Sequence, residues 1–230
     1  NSEESNFLAK KYLITESYFS DLIDLWNVYE QEDSVLLDIV GSLQDMLYAE
    51  LTDLSNTIFI DLEKEAIASL SDQYLNNKRF YQERKAAMEA LPKSGEPAID
   101  FAYPDVDGNL ISLSDFTGKY VYVDVWATWC GPCVYEIPFL AELEKEYHDK
   151  NIVFLSVSVD ENKQKWLDMI NDKNMGGVQL FSSGGKQIQT DYAIFTIPRF
   201  MLFDPEGNVV DLTAPSPSNV ETKELFNSIL

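Results

Sequence analysis

The chain contains very little cysteine and histidine, and its first part contains no proline. Its 230 residues include two cysteines and one histidine, and the first proline is Pro92. Two thiols and one imidazole cannot complete a four-ligand zinc site without carboxylates. Two cysteines three positions apart also make a poor scaffold, because the loop that they close is too short to constrain the unfolded chain much. We therefore expect neither a structural zinc nor a disulfide framework.

Long apolar runs and positive charges are also scarce. No apolar run approaches the roughly 20 residues that a membrane-spanning helix needs, although 45% of the residues are apolar, which is enough for a core. Acidic residues outnumber basic ones by 39 to 17, giving a net charge of −22. Because this charge repels phosphates, we expect no binding to nucleic acid or to anionic lipid. Any export signal or lipid anchor would have preceded Asn1, the first residue here.

The composition changes near residue 95. Residues 12–91 repeat apolar residues at the helical period without a proline, which predicts several helices, the last over Arg79–Leu91. The segment 91–97 carries prolines, a glycine and charges and is typical of a linker. The sequence thus predicts an all-helical segment, 1–96, and a second domain, 97–230. The helical segment is open to four interpretations: helices that pack on the second domain and shape a substrate groove, a dimer interface, a spacer from the membrane, or a cap that only stabilises the protein.

Strands and helices alternate in the predicted second domain. Tyr120–Trp126 and Ile152–Val159 are β-rich apolar runs that suit buried strands, and a helix over Pro132–His148 would join them by a parallel crossover. Arg199–Phe203 and Asn208–Leu212 flank a turn and predict a closing antiparallel hairpin. This order predicts an α/β fold with a mixed central sheet flanked by helices.

Three shorter signals complete the pattern. A helix is predicted over Asn162–Asp172 and a strand over Val178–Phe181. Ser218, followed three residues later by Glu221, predicts a capping box that opens the final helix. His148 is expected at the surface, late on its helix, where a cation suits the helix dipole.

Both cysteines lie in the run Trp129-Cys130-Gly131-Pro132-Cys133, between a predicted buried strand and a helix. The positive end of a helix favours a thiolate, so Cys130 is expected to attack a substrate disulfide. Cys133, one turn further and less exposed, would resolve the mixed disulfide. Gly131 and Pro132 suit a tight turn into a helix. A c-type haem site would need histidine directly after Cys133, where valine stands, and a zinc knuckle would need a second cysteine pair.

The segment 123–133 resembles the active-site segment of the thioredoxin family. Pro138 matches the proline that kinks the active-site helix in that family, and Thr196-Ile197-Pro198 matches the loop whose proline is cis and faces the disulfide. Three features resemble more closely the TlpA/ResA group of bacterial, envelope-located thioredoxins. These are the Trp-Ala-Thr-Trp-Cys run, the spacing of Cys133, Glu136 and Pro138, and the additional helix and strand between residues 160 and 198. The resemblance covers about residues 97–230 and implies a thioredoxin-like fold.

The resemblance implies roles for two carboxylates. Asp124 occupies the strand position where the family often carries a buried acid. Because burial raises the pKa of a carboxyl group, this acid would exchange a proton with Cys133 near neutral pH; the alternative is a buried acid that is merely tolerated. Glu136 lies one helical turn after Cys133, where a glutamate in ResA-like proteins tunes the thiols; the alternative is a solvated helix residue. The lysine that pairs with the acid in cytosolic thioredoxins would align near Ser156, so that ion pair is absent.

Substrate contacts are implied in the same way. The main chain of Ile197, exposed by a cis Pro198, would pair with a substrate strand beside the disulfide; the alternative is an ordinary loop proline. Trp129 would either pack at the rim of the site or contact the partner, and Gly131 and Pro132 would lie beside the bound chain. Ala214 stands near a position where the family often has a glycine in the substrate groove.

These features predict a thiol–disulfide oxidoreductase that reduces disulfides in extracytoplasmic proteins. Its partners would be protein disulfide substrates, with apocytochrome c as one implied by the resemblance, and a membrane electron donor. No cofactor is expected, because the cysteine pair itself carries two electrons. The resemblance implies a periplasmic or envelope location, with lipid anchoring through a removed N-terminal signal. Two alternatives stay open: a disulfide oxidase or isomerase, and a redox-sensing binding module that uses the helical half.

Overall fold

The structure, a computed structural model, describes residues 61–230 together with four helical residues that precede them: Ser42, Asp45, Met46 and Ala49. The helices predicted before residue 61 lie otherwise outside the described residues. The chain divides into two compact units, Asn1–Glu89 and Ala90–Leu230. The assignment of 1–96 as one functional segment, and its role, remain predictions.

Apart from those four residues, the described part of the first unit is one helix, α1, over Asp61–Glu89. The prediction of a separate last helix over Arg79–Leu91 was wrong at both ends. The segment contains neither glycine nor proline, so nothing in it interrupts the backbone hydrogen bonds of a helix. Pro92 follows soon after, and it disfavours helical conformation in the residue before it. Within the described residues, no helix has the length and apolar character needed to cross a membrane.

The second unit consists of seven strands, four α-helices and one turn of 3₁₀ helix. In chain order these are β1 Ala102–Pro104, β2 Leu110–Ser112, the 3₁₀ turn Leu113–Phe116, β3 Tyr120–Trp126, α2 Gly131–Glu146, β4 Ile152–Ser158, α3 Lys163–Lys173, β5 Val178–Phe181, α4 Lys186–Asp191, β6 Arg199–Phe203, β7 Val209–Asp211 and α5 Val220–Ile229.

Five strands form the central sheet in the order β5-β4-β3-β6-β7, while β1 and β2 form a separate hairpin. Strand β3 lies at the centre, parallel to β4 and antiparallel to β6, and β6 pairs antiparallel with β7. The predicted mixed sheet, parallel crossover and closing hairpin are confirmed. The residues of β3, Tyr-Val-Tyr-Val-Asp-Val-Trp, are mostly the β-branched and aromatic types that favour strands. Their burial on both faces accounts for the nearly continuous apolar run.

Alternate residues of β3 point to opposite faces of the sheet. On one face Tyr122 stacks on Phe200 and meets the edge of Phe226, in a cluster that includes Leu140 and Leu143 of α2. Valines of β3 belong to the cluster on the other face. Asp124, two residues after Tyr122, therefore lies in the apolar layer between the sheet and α2.

Two details at helix ends differ from the sequence prediction. Helix α5 is capped by Asn219, whose side chain accepts the N–H of Glu221 at 3.0 Å. The predicted capping box was wrong because the Ser218 hydroxyl is already used elsewhere: it donates to Glu136 of α2 at 2.7 Å. Helix α2 ends two residues before His148 and not at His148 as the sequence had predicted. The His148 side chain is exposed, which agrees with the prediction of a surface residue. Helix α4 and the 3₁₀ turn had not been predicted.

Candidate active site

Cys130 and Cys133 form a disulfide at the N-terminus of α2, with their Cα atoms 5.2 Å apart. Cys130 is the N-cap of the helix, and its Sγ accepts the N–H of Cys133 at 3.2 Å. In the reduced protein this N–H and the helix dipole would stabilise negative charge on the Cys130 sulfur. Cys130 is 6% exposed and Cys133 is 3% exposed. The expected order of accessibility is therefore present, although both residues are recessed.

The rim around the disulfide is open. Gly131 and Pro132 are exposed in the first turn of α2, where a backbone N–H is not required. A Cβ atom placed on Gly131 would have no neighbour within 4 Å. Trp129 is 69% exposed, so its ring is available to a partner rather than packed in the core. An extended polypeptide therefore has room to approach the disulfide from this side.

The loop before β6 faces the disulfide. The peptide bond between Ile197 and Pro198 is cis, as predicted from the resemblance. The carbonyl oxygen of Ile197 lies 3.6 Å from the Sγ of Cys130. The main chain of this loop thus lies beside the Cys130 sulfur. We expect this sulfur to attack in the reduced protein and to be attacked in the oxidised protein.

A buried aspartate holds the segment that precedes Cys130. The carboxylate of Asp160 accepts the N–H of Thr128 at 2.9 Å, the Thr128 hydroxyl at 2.6 Å and the Ser158 hydroxyl at 2.8 Å. Sequence reasoning missed this contact, although a signal was present. Thr128 and Asp160 each follow one of two predicted buried strands joined by a parallel crossover, and the carboxyl ends of parallel strands meet at one edge of a sheet.

Asp124 is buried under α2. Its Oδ1 lacks a hydrogen-bond partner among the described residues. Burial, then the negative charges of Glu136 and Glu144, raise the pKa of Asp124 to about 8. Ser156 is its register partner on β4, so the position opposite the acid carries no lysine. A carboxyl group with this pKa can take up or release a proton near neutral pH. Exchange of that proton with Cys133 remains a prediction.

Glu136 is buried, so the alternative of a solvated helix residue was wrong. Its carboxylate accepts the Ser218 N–H at 2.9 Å and the Ser218 hydroxyl at 2.7 Å. These two bonds tie α2 to the segment that leads into α5. Sequence reasoning had assigned Ser218 to a cap and therefore missed this partner. The tuning of the thiols by Glu136 remains a prediction. It is supported by the effect of the Glu136 charge, which raises the pKa of Asp124.

The cysteine pair is the redox group of this site. Among the residues whose side chains the structure describes, no three histidine, cysteine, aspartate or glutamate side chains are grouped so that they could hold a metal ion. The structure brings the two cysteines, Ile197 and Pro198 together, with Trp129 at the rim and Asp124 and Glu136 on the α2 side of the sheet.

Residues 93–229 match the family model described as Redoxin. Among curated proteins, the chain is 28% identical over 135 residues to thiol-disulfide oxidoreductase ResA of Bacillus thuringiensis subsp. konkukian. That match covers 59% of this chain and 78% of the relative.

Solved structures agree with that similarity. A crystal structure of a candidate thiol-disulfide oxidoreductase from Bacteroides vulgatus is 43% identical, with a TM-score of 0.57, and covers 60% of this chain and 97% of that one. The thioredoxin domain of another Bacteroides vulgatus thiol-disulfide oxidoreductase is 28% identical, with a TM-score of 0.55, and covers 60% and 99%. The regions that match are those that carry the disulfide, so the similarity concerns the second unit.

Proposed function

This chain belongs to the Redoxin family and is a thiol–disulfide oxidoreductase, and from that premise we propose that it reduces disulfides in extracytoplasmic proteins. The observation that carries the proposal is the position of the disulfide. Cys130 caps the N-terminus of α2, receives an N–H from Cys133, and lies against the main chain at Ile197. This geometry supports three roles in the proposal: Cys130 as the stabilised thiolate, Cys133 as the resolving thiol, and the main chain at Ile197 as an edge on which a polypeptide aligns.

The reaction moves two electrons from the dithiol to the substrate. In the reduced protein, the Cys130 thiolate attacks a substrate disulfide, and one substrate thiol leaves. Cys133 then loses its proton and attacks the Sγ of Cys130, which releases the second substrate thiol. The product is the Cys130–Cys133 disulfide seen in the structure, and a donor dithiol must reduce it before the next cycle.

Five further residues support this cycle in the proposal. Asp124 accepts the proton of Cys133 and returns it when the disulfide is reduced, because its raised pKa lies near the working range. Glu136, on helix α2 like Cys133, adjusts the charge around the two cysteines. The main chain at Ile197, next to cis Pro198, pairs with the substrate, and exposed Trp129 covers part of it.

The partners in the proposal are protein disulfides and a membrane-bound thiol reductase that supplies electrons. The cysteine pair is the only redox group that the cycle requires. The location outside the cytoplasm follows from the resemblance to the envelope-located TlpA/ResA group. Apocytochrome c, whose paired cysteines must be reduced before haem attachment, is the substrate that this resemblance favours.

The decisive test is insulin reduction with dithiothreitol as donor. The wild-type protein should accelerate the reaction, and the variant lacking both cysteines, Cys130→Ser with Cys133→Ser, should not. The single variant Cys133→Ser should accumulate a mixed disulfide with substrate proteins, because the thiol that resolves it is gone. Wild-type turnover equal to that of the double variant would leave only a binding role for the site.

The direction of electron flow is tested by the reduction potential. Reducing dithiols of this fold have potentials of about −270 mV, whereas strong disulfide oxidants have potentials of about −120 mV. We expect a value toward the reducing end of that range. A value at the oxidising end would make the protein an oxidase in the same compartment.

A further inference from the structure

A row of buried polar side chains crosses the central sheet beneath α2. Asp124 on β3 is the register partner of Ser156 on β4, and Ser156 is the register partner of Gln179 on β5. All three residues are buried. Register partners on adjacent parallel strands point to the same face of a sheet, so these side chains form one line from the centre of the sheet to its β5 edge. The line contains no lysine or arginine.

Both ends of this row carry an acceptor that the protein leaves open. The Oδ1 of Asp124 and the Oε1 of Gln179 are buried, and neither has a hydrogen-bond partner among the described residues. A buried polar atom without a partner is costly, and ordered water commonly supplies the missing bond. A short chain of water molecules would bridge the two open acceptors, with the hydroxyl of Ser156 between them as a further hydrogen-bonding group.

The β5 end of the row contacts an exposed segment beside another carboxylate. The side-chain amide of Gln179 donates to the carbonyl of Gly176 at 2.7 Å. The half-buried carboxyl of Glu144 packs on the same segment: a Cβ on Gly177 would lie 2.8 Å from its Oε1, and a Cβ on Gly176 would overlap its Oε2. Both glycines are exposed. Glu144 therefore lies beside the exposed segment that the Gln179 side chain contacts.

The pKa values of the two carboxyl groups, Asp124 and Glu144, are close enough for a proton to pass from one to the other. Burial raises the pKa of Glu144 to about 7, close to that of Asp124. The charge of Glu144 is itself one of the causes that raise the pKa of Asp124, after burial and Glu136. From β3, Tyr122 also faces this layer, and its hydroxyl donates to the carbonyl of Pro215.

We propose that Glu144 is the proton outlet of Asp124, reached through Ser156 and Gln179. The inference rests on the proposed function, since it needs Asp124 to exchange a proton with Cys133. On substrate reduction, the Cys133 proton passes to Asp124 and then, through water molecules held by Ser156 and Gln179, to Glu144 and bulk water. On reduction of the disulfide by the donor, one proton returns by the same route. No electrons move along the row, so the two-electron balance of the thiol exchange is unchanged.

A single-turnover experiment isolates this step. Reduced protein is mixed with one equivalent of an aromatic disulfide that releases coloured thionitrobenzoate, once when Cys130 is modified and again when Cys133 resolves. At about pH 6, below the pKa of about 8, Asp124 starts protonated, so the second release waits for its proton to leave. Glu144→Gln should slow this second release about tenfold, below the hundredfold or more typical of a direct acid–base group. Added imidazole should restore the rate.

Matched variants complete the design. Glu142→Gln removes the same charge from an exposed position of α2 and should leave both releases unchanged. Ser156→Ala interrupts the row in its interior and should show the same imidazole-dependent slowing, which keeps the test available if Glu144→Gln folds poorly.

The outcomes separate the two proposals. Unaltered second releases in Glu144→Gln and Ser156→Ala would overturn the outlet while leaving the reductase intact. Slowing that imidazole does not relieve would also overturn it, because Glu144 would then act through its charge or its packing. Absence of a second release from the wild-type protein would instead defeat the proposed function itself.

Discussion

Replacing Asp124 by asparagine should make the oxidised protein more stable above neutral pH. The pKa of Asp124 is raised from 3.8 to about 8, so the folded state binds its proton more tightly than the unfolded state does. The contribution to stability is therefore fully present below about pH 4 and is lost as the pH rises to about 8. Asparagine keeps the shape of the side chain and removes the ionisation.

The size of the effect follows from the pKa. Each pKa unit corresponds to about 1.4 kcal/mol, so the rise from 3.8 to about 8 means that the ionised carboxyl destabilises the fold by about 6 kcal/mol once the pH exceeds about 8. The open Oδ1 supports this direction, because no hydrogen bond to that atom is lost in the variant. Burial is the main cause, and the charges of Glu136 and Glu144 add to it.

The assay is urea unfolding of the oxidised protein at about pH 5, 7 and 9, with wild type and Asp124→Asn compared at each pH. The difference between the two free energies of unfolding should be smallest at the lowest pH and should grow in favour of the variant as the pH rises. Glu142→Gln, which removes an exposed charge, serves as the control for net charge.

A constant difference between wild type and Asp124→Asn across this range would refute the reasoning. It would mean that Asp124 does not change its ionisation on unfolding within the range, and the proton role proposed for it would fail with it. A variant that loses stability with rising pH would refute the reasoning as well, because the sign would then be that of a carboxylate stabilised by the fold.

Three further predictions concern contacts around the site. Ser218→Ala should lower the free energy of unfolding by about 1.5–3 kcal/mol, because a donor to a buried carboxylate is lost; urea unfolding measures it, and an unchanged midpoint would contradict the contact. Thr128→Val removes one donor from Asp160, and both insulin turnover and stability should fall, the latter by about 1–3 kcal/mol; equal turnover would show that the loop is held otherwise. Gly177→Ala should cost more than Gly108→Ala, because both have positive φ but only at Gly177 does the Cβ meet neighbouring atoms; equal melting temperatures would disprove the crowding.

The sheet was predictable because its signals are local. The apolar runs at Tyr120–Trp126 and Val178–Phe181 gave strands with the same bounds as in the structure. The closing hairpin was marked by a proline and a glycine in its turn. Helix α4, only six residues long, carries no clear amphipathic period, so the sequence offered little to detect.

The cysteine pair and the cis proline were recognisable because each belongs to a motif with fixed spacing. The partner of Glu136 was not, because Ser218 lies 82 residues away and carries its own local signal for a helix cap. The N–H and the hydroxyl of Ser218 both donate to the carboxylate of Glu136. No local sequence pattern shows that this distant carboxylate, rather than the helix end, binds the serine. The packing of Glu144 against Gly176 and Gly177 was unpredictable for the same reason, because these residues are far apart in the sequence.

The sulfurs lie below an open rim, with the segment ahead of Cys130 already fastened by Asp160. For the reaction proposed here, a substrate would have to bring its own disulfide down to these recessed sulfurs, which a flexible chain does more readily than a rigid fold. The expected consequence is a preference for proteins that have not finished folding over mature proteins whose disulfides are buried.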